Sequence, residues 1–350
     1  MIKIIPDPMR PLYIIAECAQ GFAARNYDES IALALMLTRC AKSAGADAVK
    51  FQLVIASELA TMDYKYFDLF KSLELGYSGW KEVSDLAKEL KIDLVFDIFG
   101  SESLQVAESL GAFGVKLHPT DFTNRELIAN VLRSPVTNVI AGCGGANYPE
   151  IQITVNQLSG SKSLTLLHGF QGYPTHRADN CLSRLRLLRD FIDQSSTPIM
   201  LGFADHADPS CHDSTHLAAA SLGYGVSVIE KHLTIAKCLQ LEDYESALSP
   251  DEFANFVKIL RACHDARGGN LVENGSFELP ESEKAYRQAV ARHVVASSDL
   301  ESGHLISPTD ISLKRTSHGD CITDPLLVIG KTTIEYVKAG SPFTLGSLKK

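Results

Sequence analysis

The stretch Glu29–Gln52, ESIALALMLTRCAKSAGADAVKFQ, contains the structural unit that recurs along most of this chain. Its first part, Glu29–Ala44, has the apolar spacing of an amphipathic helix. Gly45, like Gly111 further along the chain, stands where a helix C-terminal cap is expected, and the apolar run Ala48–Gln52 predicts a buried strand. A helix followed closely by such a strand indicates repeated βα units around a parallel sheet.

The same alternation extends over the first 270 residues. Eight short apolar runs are predicted strands, and eight is the number of strands in a (β/α)₈ barrel. The predicted strands are Leu12–Ala16, Ala48–Gln52, Asp93–Asp97, Gly114–Leu117, Asn138–Ala141, Leu164–His168, Ile199–Phe203 and Val226–Lys231. We therefore expect a TIM barrel.

After the barrel the chain becomes polar and is punctuated by glycine and proline, which predicts a linker. The predicted domains are a barrel over residues 1–270, a linker over 271–286 and a small domain over 287–350. Ala289–Ala296 predicts the first strand of the small domain, and a second apolar cluster follows in Leu326–Gly330 and Thr332–Val337. A module of roughly 65 residues has a marginal core of its own.

The overall composition excludes several classes of function. The 350 residues are 45% hydrophobic and 21% charged, as in ordinary globular proteins. The 33 Lys and Arg against 42 Asp and Glu give a net charge of −9, which argues against a general binder of nucleic acid or of anionic membranes. The eight cysteines form no CxxC pair, and no signal peptide or long apolar run is present. We expect a reduced, cytoplasmic protein.

Two histidines follow neighbouring predicted strands. Because the C-terminal ends of the strands form the active-site face of a barrel, His206 and His232 are expected to converge there. Imidazole suits Mn²⁺, Fe²⁺ or Zn²⁺, so the pair is a candidate metal site with open positions. The alternative for each is a core histidine that is bonded to a backbone carbonyl.

Two lysines lie within apolar strands and so point towards the barrel mouth. Buried ammonium groups need an anion, and a carboxylate or phosphate of a substrate would serve Lys50 and Lys116. The alternative is a structural pair with Glu17, Asp97 or Glu230.

Seven motifs resemble those of the sialic acid synthase family, whose members condense phosphoenolpyruvate with an N-acylated sugar aldehyde to form a nine-carbon keto acid. They are IIAE (Ile14–Glu17), AGADAVKFQ (Ala44–Gln52), LELGYSGWKEVSDLAKEL (Leu73–Leu90), HGFQGYPT (His168–Thr175), GFADHA (Gly202–Ala207), VIEKHLT (Val228–Thr234) and EDYESALSPDEF (Glu242–Phe253). The segment Val290–Arg315 and the later VIGKTTIEYVKAGSPF resemble the antifreeze-like (SAF) domain that follows the barrel in this family.

The resemblance implies roles for the residues at the strand ends. His206 and His232 hold a divalent metal, Mn²⁺ or Mg²⁺, that polarises the sugar aldehyde. Lys50 and Lys116 bind the phosphate and carboxylate of phosphoenolpyruvate, and Glu17 manages the proton between the two substrates.

It also implies a sugar subsite that is completed by a second subunit. Gln52, Gln171 and Tyr173 line the site, and Asp243 holds sugar hydroxyls, so that Asp243 joins Glu17 and His232 as a catalytic residue. Arg315, from the SAF domain, contacts the N-acyl group in the site of the other subunit. The working unit is therefore expected to be a domain-swapped homodimer.

Four of the departures from the family pattern concern the part of the site that binds phosphoenolpyruvate. Asp97 stands where a threonine is usual, and Pro119, Ala141 and Ala204 stand where serines help to hold phosphoenolpyruvate. Lost hydroxyl donors weaken phosphate binding, and an added carboxylate repels an anion. Two alternatives to the synthase therefore stay open: a barrel lyase or aldolase that uses another enolate donor, and a catalytically silent paralogue that binds a sugar acid.

Overall fold

A closed barrel of eight parallel strands forms the first of two units, which divide the chain on either side of residue 270. The structure is a computed structural model that describes residues 12–160, 162–170, 172–210, 213–267 and 278–349. The strands pair in chain order, and the last closes on the first. They are β1 (Tyr13–Glu17), β2 (Ala48–Gln52), β3 (Asp93–Ile98), β4 (Gly114–Leu117), β5 (Asn138–Gly142), β6 (Ser163–His168), β7 (Ile199–Asp205) and β8 (Val228–His232).

The predicted (β/α)₈ barrel is confirmed, and each predicted strand overlaps an observed one. Some ends differ by one or two residues. The first strand begins at Tyr13 rather than Leu12, and the eighth begins at Val228 rather than Val226, because Tyr13 pairs with Val228 where the barrel closes. Apolar runs do not reveal such pairing.

Helices connect the strands and cover the barrel. They are α1 (Tyr27–Ser43), α2 (Ala56–Leu59), α3 (Phe67–Ser72), α4 (Gly76–Leu90), α5 (Ser101–Leu110), α6 (Arg125–Arg133), α7 (Tyr148–Leu158), α8 (Ser183–Asp193), α9 (Asp213–Leu222) and α10 (Pro250–Ala266). The Asn26 side chain caps α1 by accepting from the Glu29 N–H. Gly45 and Gly111 follow α1 and α5 with φ of +85° and +68°, as their predicted capping roles require.

The barrel has two apolar layers. An inner layer fills the barrel axis, and an outer one, which includes Trp80 of α4, packs between strands and helices. The rings of Phe51 on β2 and Phe96 on β3 lie 5.5 and 5.1 Å from the Trp80 ring. Strands that are buried on both faces explain why the sequence shows continuous apolar runs. In the described part of the chain, no helix is long and apolar enough to cross a bilayer.

The second unit begins with a helix, α11 (Glu281–Val290), and continues with short antiparallel pairs. Strand β9 (His293–Ala296) pairs with β10 (Ile311–Lys314), and β11 (Thr332–Thr333) pairs with β12 (Leu348–Lys349). They pack on a small core of their own: Val294, Ala296, Leu300, Ile306, Ile322, Val328, Val337 and Phe343.

The secondary structure near the start of the small domain differs from the prediction in two details. Residues 281–286 of the predicted linker belong to α11, and the predicted strand Ala289–Ala296 starts only at His293. Glu281 and Glu283 lie in the first turn of the helix, where carboxylates stabilise the helix dipole, and this local preference outweighs the polar character that suggested a linker. Residues 271–277 of the linker lie outside the described residues.

A glycine at the end of β6 provides a test of the barrel geometry. We expect Gly169→Ala to lower the free energy of unfolding by about 1–3 kcal/mol, because a forced fit in a packed core strains the backbone. The added Cβ would lie 2.3 Å from the Ala204 carbonyl oxygen on β7. Urea denaturation measures the change. The control is Gly319→Ala, whose Cβ meets nothing within 4 Å; equal midpoints for both variants would contradict the predicted contact.

Candidate active site

Five charged side chains from five strands meet at the C-terminal end of the barrel; we call them the mouth cluster. They are Glu17 (β1), Lys50 (β2), Asp97 (β3), Lys116 (β4) and Glu230 (β8). The Lys50 Nζ lies 2.8 Å from Asp97 Oδ2 and 3.6 Å from Glu230 Oε2, and also pairs with Glu17. The Lys116 Nζ lies 2.8 Å from Glu230 Oε1 and 3.9 Å from Asp97 Oδ1. None of the five residues is more than 5% exposed.

The alternation of strand side chains explains why these charges converge. Successive residues of a strand point to opposite faces, so residues two apart share the barrel interior. Directly below the mouth cluster, a layer of apolar side chains fills the barrel two residues earlier in β1, β2, β3 and β8: Ile15, Ala48, Val95 and Val228. In these four strands, the sequence therefore places an apolar side chain one layer below each charged side chain of the mouth cluster.

The mouth cluster contains one more carboxylate than ammonium groups. Burial lowers the pKa of Lys116, but the carboxylates of Asp97 and Glu230 outweigh it and raise the pKa above its usual range. Burial raises the pKa of Glu230, and the two lysines outweigh it, so that the net change is downward. Asp97 Oδ1 and Glu230 Oε2 accept no hydrogen bond from the described residues. Lys50 and Lys116 thus form the structural pairs with Glu17, Asp97 and Glu230 that the sequence left open as an alternative.

The two candidate histidines lie side by side next to this cluster. The rings of His206, which follows β7, and His232, which ends β8, are 5.3 Å apart. The Tyr173 ring lies 5.1 and 5.4 Å from them. His206 Nδ1 donates to the Phe170 carbonyl oxygen at 2.9 Å, which orients the ring and leaves Nε2 as its acceptor. His232 Nδ1 lies 3.6 Å from Asp243 Oδ2.

The environment keeps both imidazoles neutral near pH 7. Burial, with a contribution from Lys116, lowers the pKa of His206 to about 3. Burial and then His206 hold the pKa of His232 well below its ordinary value. Neutral imidazole is the form that binds metal ions. By contrast, burial and then the neighbouring Glu242 raise the pKa of the Asp243 carboxyl to about 7.

These features fit a divalent ion with an open coordination sphere. Two neutral imidazoles, one of them oriented by a backbone carbonyl, are a suitable pair of ligands. Within the described ranges, no group of three or more His, Cys, Asp or Glu has a metal-binding arrangement.

A cavity of ≈ 310 Å³ opens beside the mouth and contains Gln52. The Gln52 side chain accepts from Gln20 Nε2 at 2.6 Å. Glu58 of α2 and Phe70 of α3 also line this cavity. Neither residue is predictable from a strand end, because only its position in the segment after β2 places it at the mouth.

Two further residues support the histidines. The Lys231 ammonium lies 3.4 Å from Asp205 Oδ2, both side chains are fully buried, and Lys231 donates to the Ala207 carbonyl oxygen. Ser246 donates to the His206 carbonyl oxygen at 2.9 Å. Lys231 and Ser246 escaped the sequence analysis, although the position of Lys231 directly before His232 was an available signal.

Two predicted site residues lie outside the described part of the first unit. Gln171 lies outside the described residues. Arg315 directly follows β10 in the second unit and is exposed. Its role in the site of another subunit stays a prediction.

Breaking the mouth cluster tests its energetics. We expect Lys116→Met to lower the free energy of unfolding by about 3–5 kcal/mol, because the buried Glu230 loses its nearest cation. Adding Glu230→Gln is expected to restore roughly half of that loss, because the uncompensated charge is removed. Urea denaturation gives both values. Lys81→Met, at an exposed pair on α4 with Asp85, is the control and is expected to change stability by less than about 1 kcal/mol. Additive losses in the double variant would contradict the account.

Comparison with known proteins gives the family. Residues 37–271 match the NeuB family, and residues 291–349 match the SAF domain. The chain is 26% identical over 349 residues to the N,N'-diacetyllegionaminic acid synthase of Legionella pneumophila, covering 94% of this chain and 92% of that protein. It is 27% identical over 311 residues to an uncharacterized protein of Methanocaldococcus jannaschii, covering 88% and 86%.

A solved structure supports the fold. The spore coat polysaccharide biosynthesis protein E structure from Chromobacterium violaceum superposes with a TM-score of 0.78 at 20% identity, covering 97% of this chain and 100% of that one. Because the NeuB match spans most of the barrel and the SAF match spans the small domain, this chain belongs to the NeuB family and carries a C-terminal SAF domain.

Proposed function

We propose that this protein is a metal-dependent nonulosonic acid synthase, which condenses phosphoenolpyruvate with an N-acylated sugar aldehyde and releases phosphate. The observation that carries the proposal is that two neutral histidines and two buried lysines lie at the C-terminal end of one barrel and interact electrostatically. Lys116 contributes to the low pKa of His206, so the two groups share one electrostatic environment. The name of the Legionella relative, a nonulosonic acid synthase, supports the same reaction class.

His206 and His232 would hold the ion, Mn²⁺ or Mg²⁺. When bound, the ion supplies Lewis-acid polarisation of the sugar aldehyde. Lys50 and Lys116 bind the carboxylate and phosphate of the donor by charge-assisted hydrogen bonds. Their desolvated position makes these contacts stronger than contacts at a wet surface.

The reaction forms one carbon–carbon bond. Carbon 3 of phosphoenolpyruvate attacks the aldehyde carbon, water adds at carbon 2, and phosphate leaves from carbon 2. Positive charge develops at carbon 2 during the attack, and the Glu17 carboxylate stabilises it, accepts the proton of the water and passes it to the alkoxide that the aldehyde oxygen becomes. The new hydroxyl at carbon 2 loses its proton to the departing phosphate as the ketone forms. Glu17 Oε1 accepts from the Ala19 backbone N–H, which fixes its orientation.

The acceptor sugar lies on the histidine side of the mouth. Tyr173 packs against both imidazoles and positions the aldehyde end of the sugar. Asp243 holds its hydroxyls, and Gln52 lines the path to it. The resemblance to the family implies a contact to the sugar for Gln171 as well. The Arg315 guanidinium of a second subunit contacts the N-acyl group, so the proposed working unit is a domain-swapped homodimer.

The seven described cysteines are all free, which fits a reducing, cytoplasmic setting.

Phosphate release tests the reaction. With Mn²⁺ present, we expect the protein to release phosphate from phosphoenolpyruvate only when one of a panel of N-acylated or plain sugar aldehydes is added. A coupled phosphate assay measures the rate, and mass spectrometry identifies the keto acid. Absence of release with every sugar, from folded and metal-loaded protein, would contradict the synthase and favour another enolate donor or a silent paralogue.

Metal content tests the histidine pair. His206→Ala and His232→Ala are each expected to reduce bound Mn²⁺ from about one equivalent per chain to less than about a tenth, because each removes one of two protein ligands. Elemental analysis after dialysis measures the content. His216→Ala, at an exposed position on α9, is the control. Unchanged metal content in both site variants would refute the assignment.

Subunit mixing tests the role of Arg315. Lys50→Ala and Arg315→Ala are each expected to be nearly inactive. If the guanidinium acts in the site of the partner, an equal mixture that exchanges subunits recovers roughly a quarter of the wild-type sites, because half of the dimers are mixed and each has one intact site. No recovery, with exchange verified by native mass spectrometry, would show that Arg315 does not act across subunits.

A further inference from the structure

The mouth cluster already supplies each lysine with an internal anion. Asp97 lies between the two ammonium groups, 2.8 Å from Lys50 through Oδ2 and 3.9 Å from Lys116 through Oδ1. The residue is 5% exposed, and its Oδ1 accepts no hydrogen bond from the described residues. Asp97 therefore has the position and charge that an anionic oxygen of a ligand would have.

The net charge of the mouth cluster determines how strongly the site binds an anionic ligand. Glu17, Asp97 and Glu230 supply three negative charges against two positive ones, and all five groups are buried, so screening by solvent is weak. A phosphoryl group brings up to two further negative charges to this place. Repulsion from the Asp97 carboxylate opposes its binding, whereas a ligand with one carboxylate meets less of this repulsion.

Four residues at the C-terminal end of the barrel carry no hydrogen-bond donor in their side chains: Pro119, Ala141, Gly142 and Ala204. A Cβ added to Gly142 would lie 3.4 Å from Lys116 Cε and 3.5 Å from Pro119 Cδ, so the lysine stem and the proline ring both lie close to this glycine. Ala141 and Ala204 are buried and carry no hydroxyl group. These side chains offer a phosphoryl group no donor that would replace a lost contact to lysine.

We propose that Asp97 is a specificity-determining residue: its carboxylate acts as a built-in counter-ion of Lys50 and lowers the affinity of the site for a phosphorylated three-carbon acid relative to the unphosphorylated 2-oxo acid. The inference rests on the proposed function only in taking the lysine pair as the subsite for the donor anion. It adds a residue that controls which donor the site prefers.

Equilibrium binding tests this inference without any turnover. The probes are phosphoenolpyruvate, inorganic phosphate and pyruvate, measured by calorimetry on the full chain loaded with Mn²⁺. We expect Asp97→Asn and Asp97→Thr to bind phosphoenolpyruvate and phosphate at least roughly tenfold more tightly than the wild type, a change of about 1.4 kcal/mol. Pyruvate affinity is expected to change by less than about threefold, because pyruvate has no phosphoryl group to meet the carboxylate.

Two controls separate charge from shape and position. Asp97→Glu keeps the negative charge and is expected to bind all three probes as weakly as the wild type. Asp93→Asn removes a carboxylate from the opposite end of the same strand, where Asp93 accepts a hydrogen bond from the Tyr13 hydroxyl, and it is expected to leave every affinity unchanged.

The wild type alone provides a second measurement that does not depend on the folding of variants. We expect its affinity for phosphoenolpyruvate to exceed that for pyruvate by less than roughly tenfold. A much larger preference, an equal gain for pyruvate in the neutral variants, a gain in Asp97→Glu, or no gain at all would overturn the inference. Tighter binding by the neutral variants without phosphate release from any sugar would contradict the proposed synthase and leave the inference standing.

Discussion

The burial of five charges at one end of the barrel is the constraint on which the rest of the structure depends. Buried ions are tolerated only when they are paired, and here Lys50 and Lys116 are held by carboxylates from three other strands. The closed order of the strands brings these groups together, because β8 returns to pair with β1 and carries Glu230 next to the lysines. Without that closure, Lys116 and Glu230 would lose each other as partners.

Much of the fold was predictable from sequence because it depends on local patterns. Each βα unit repeats the apolar run and the amphipathic helix of Glu29–Gln52, and Gly45 and Gly111 end their helices as their positions suggested. The failures were also local in origin. The segment from Glu281 is polar enough to resemble a linker, yet it is a helix whose first-turn carboxylates stabilise it.

The candidate site was predictable only as a set of residues, and not as a set of contacts. Residue type and strand ends identified Lys50, Lys116, His206 and His232, but the partner of Lys116 is Glu230, which is 114 positions away. Periodicity carries no information about such pairs, since the stagger of the barrel decides which side chains share a level. Even the resemblance to a family could not show that Asp97 lies directly against Lys50.

The central claim is that the lysines and the histidines form one site with two subsites. The most direct test is a crystal structure with Mn²⁺ and phosphoenolpyruvate. The account predicts an anomalous Mn²⁺ peak between His206 Nε2 and the His232 ring, with the donor carboxylate or phosphate in hydrogen-bond contact with Lys50 or Lys116. An ion bound away from both histidines, or a donor bound outside the mouth cluster, would contradict it.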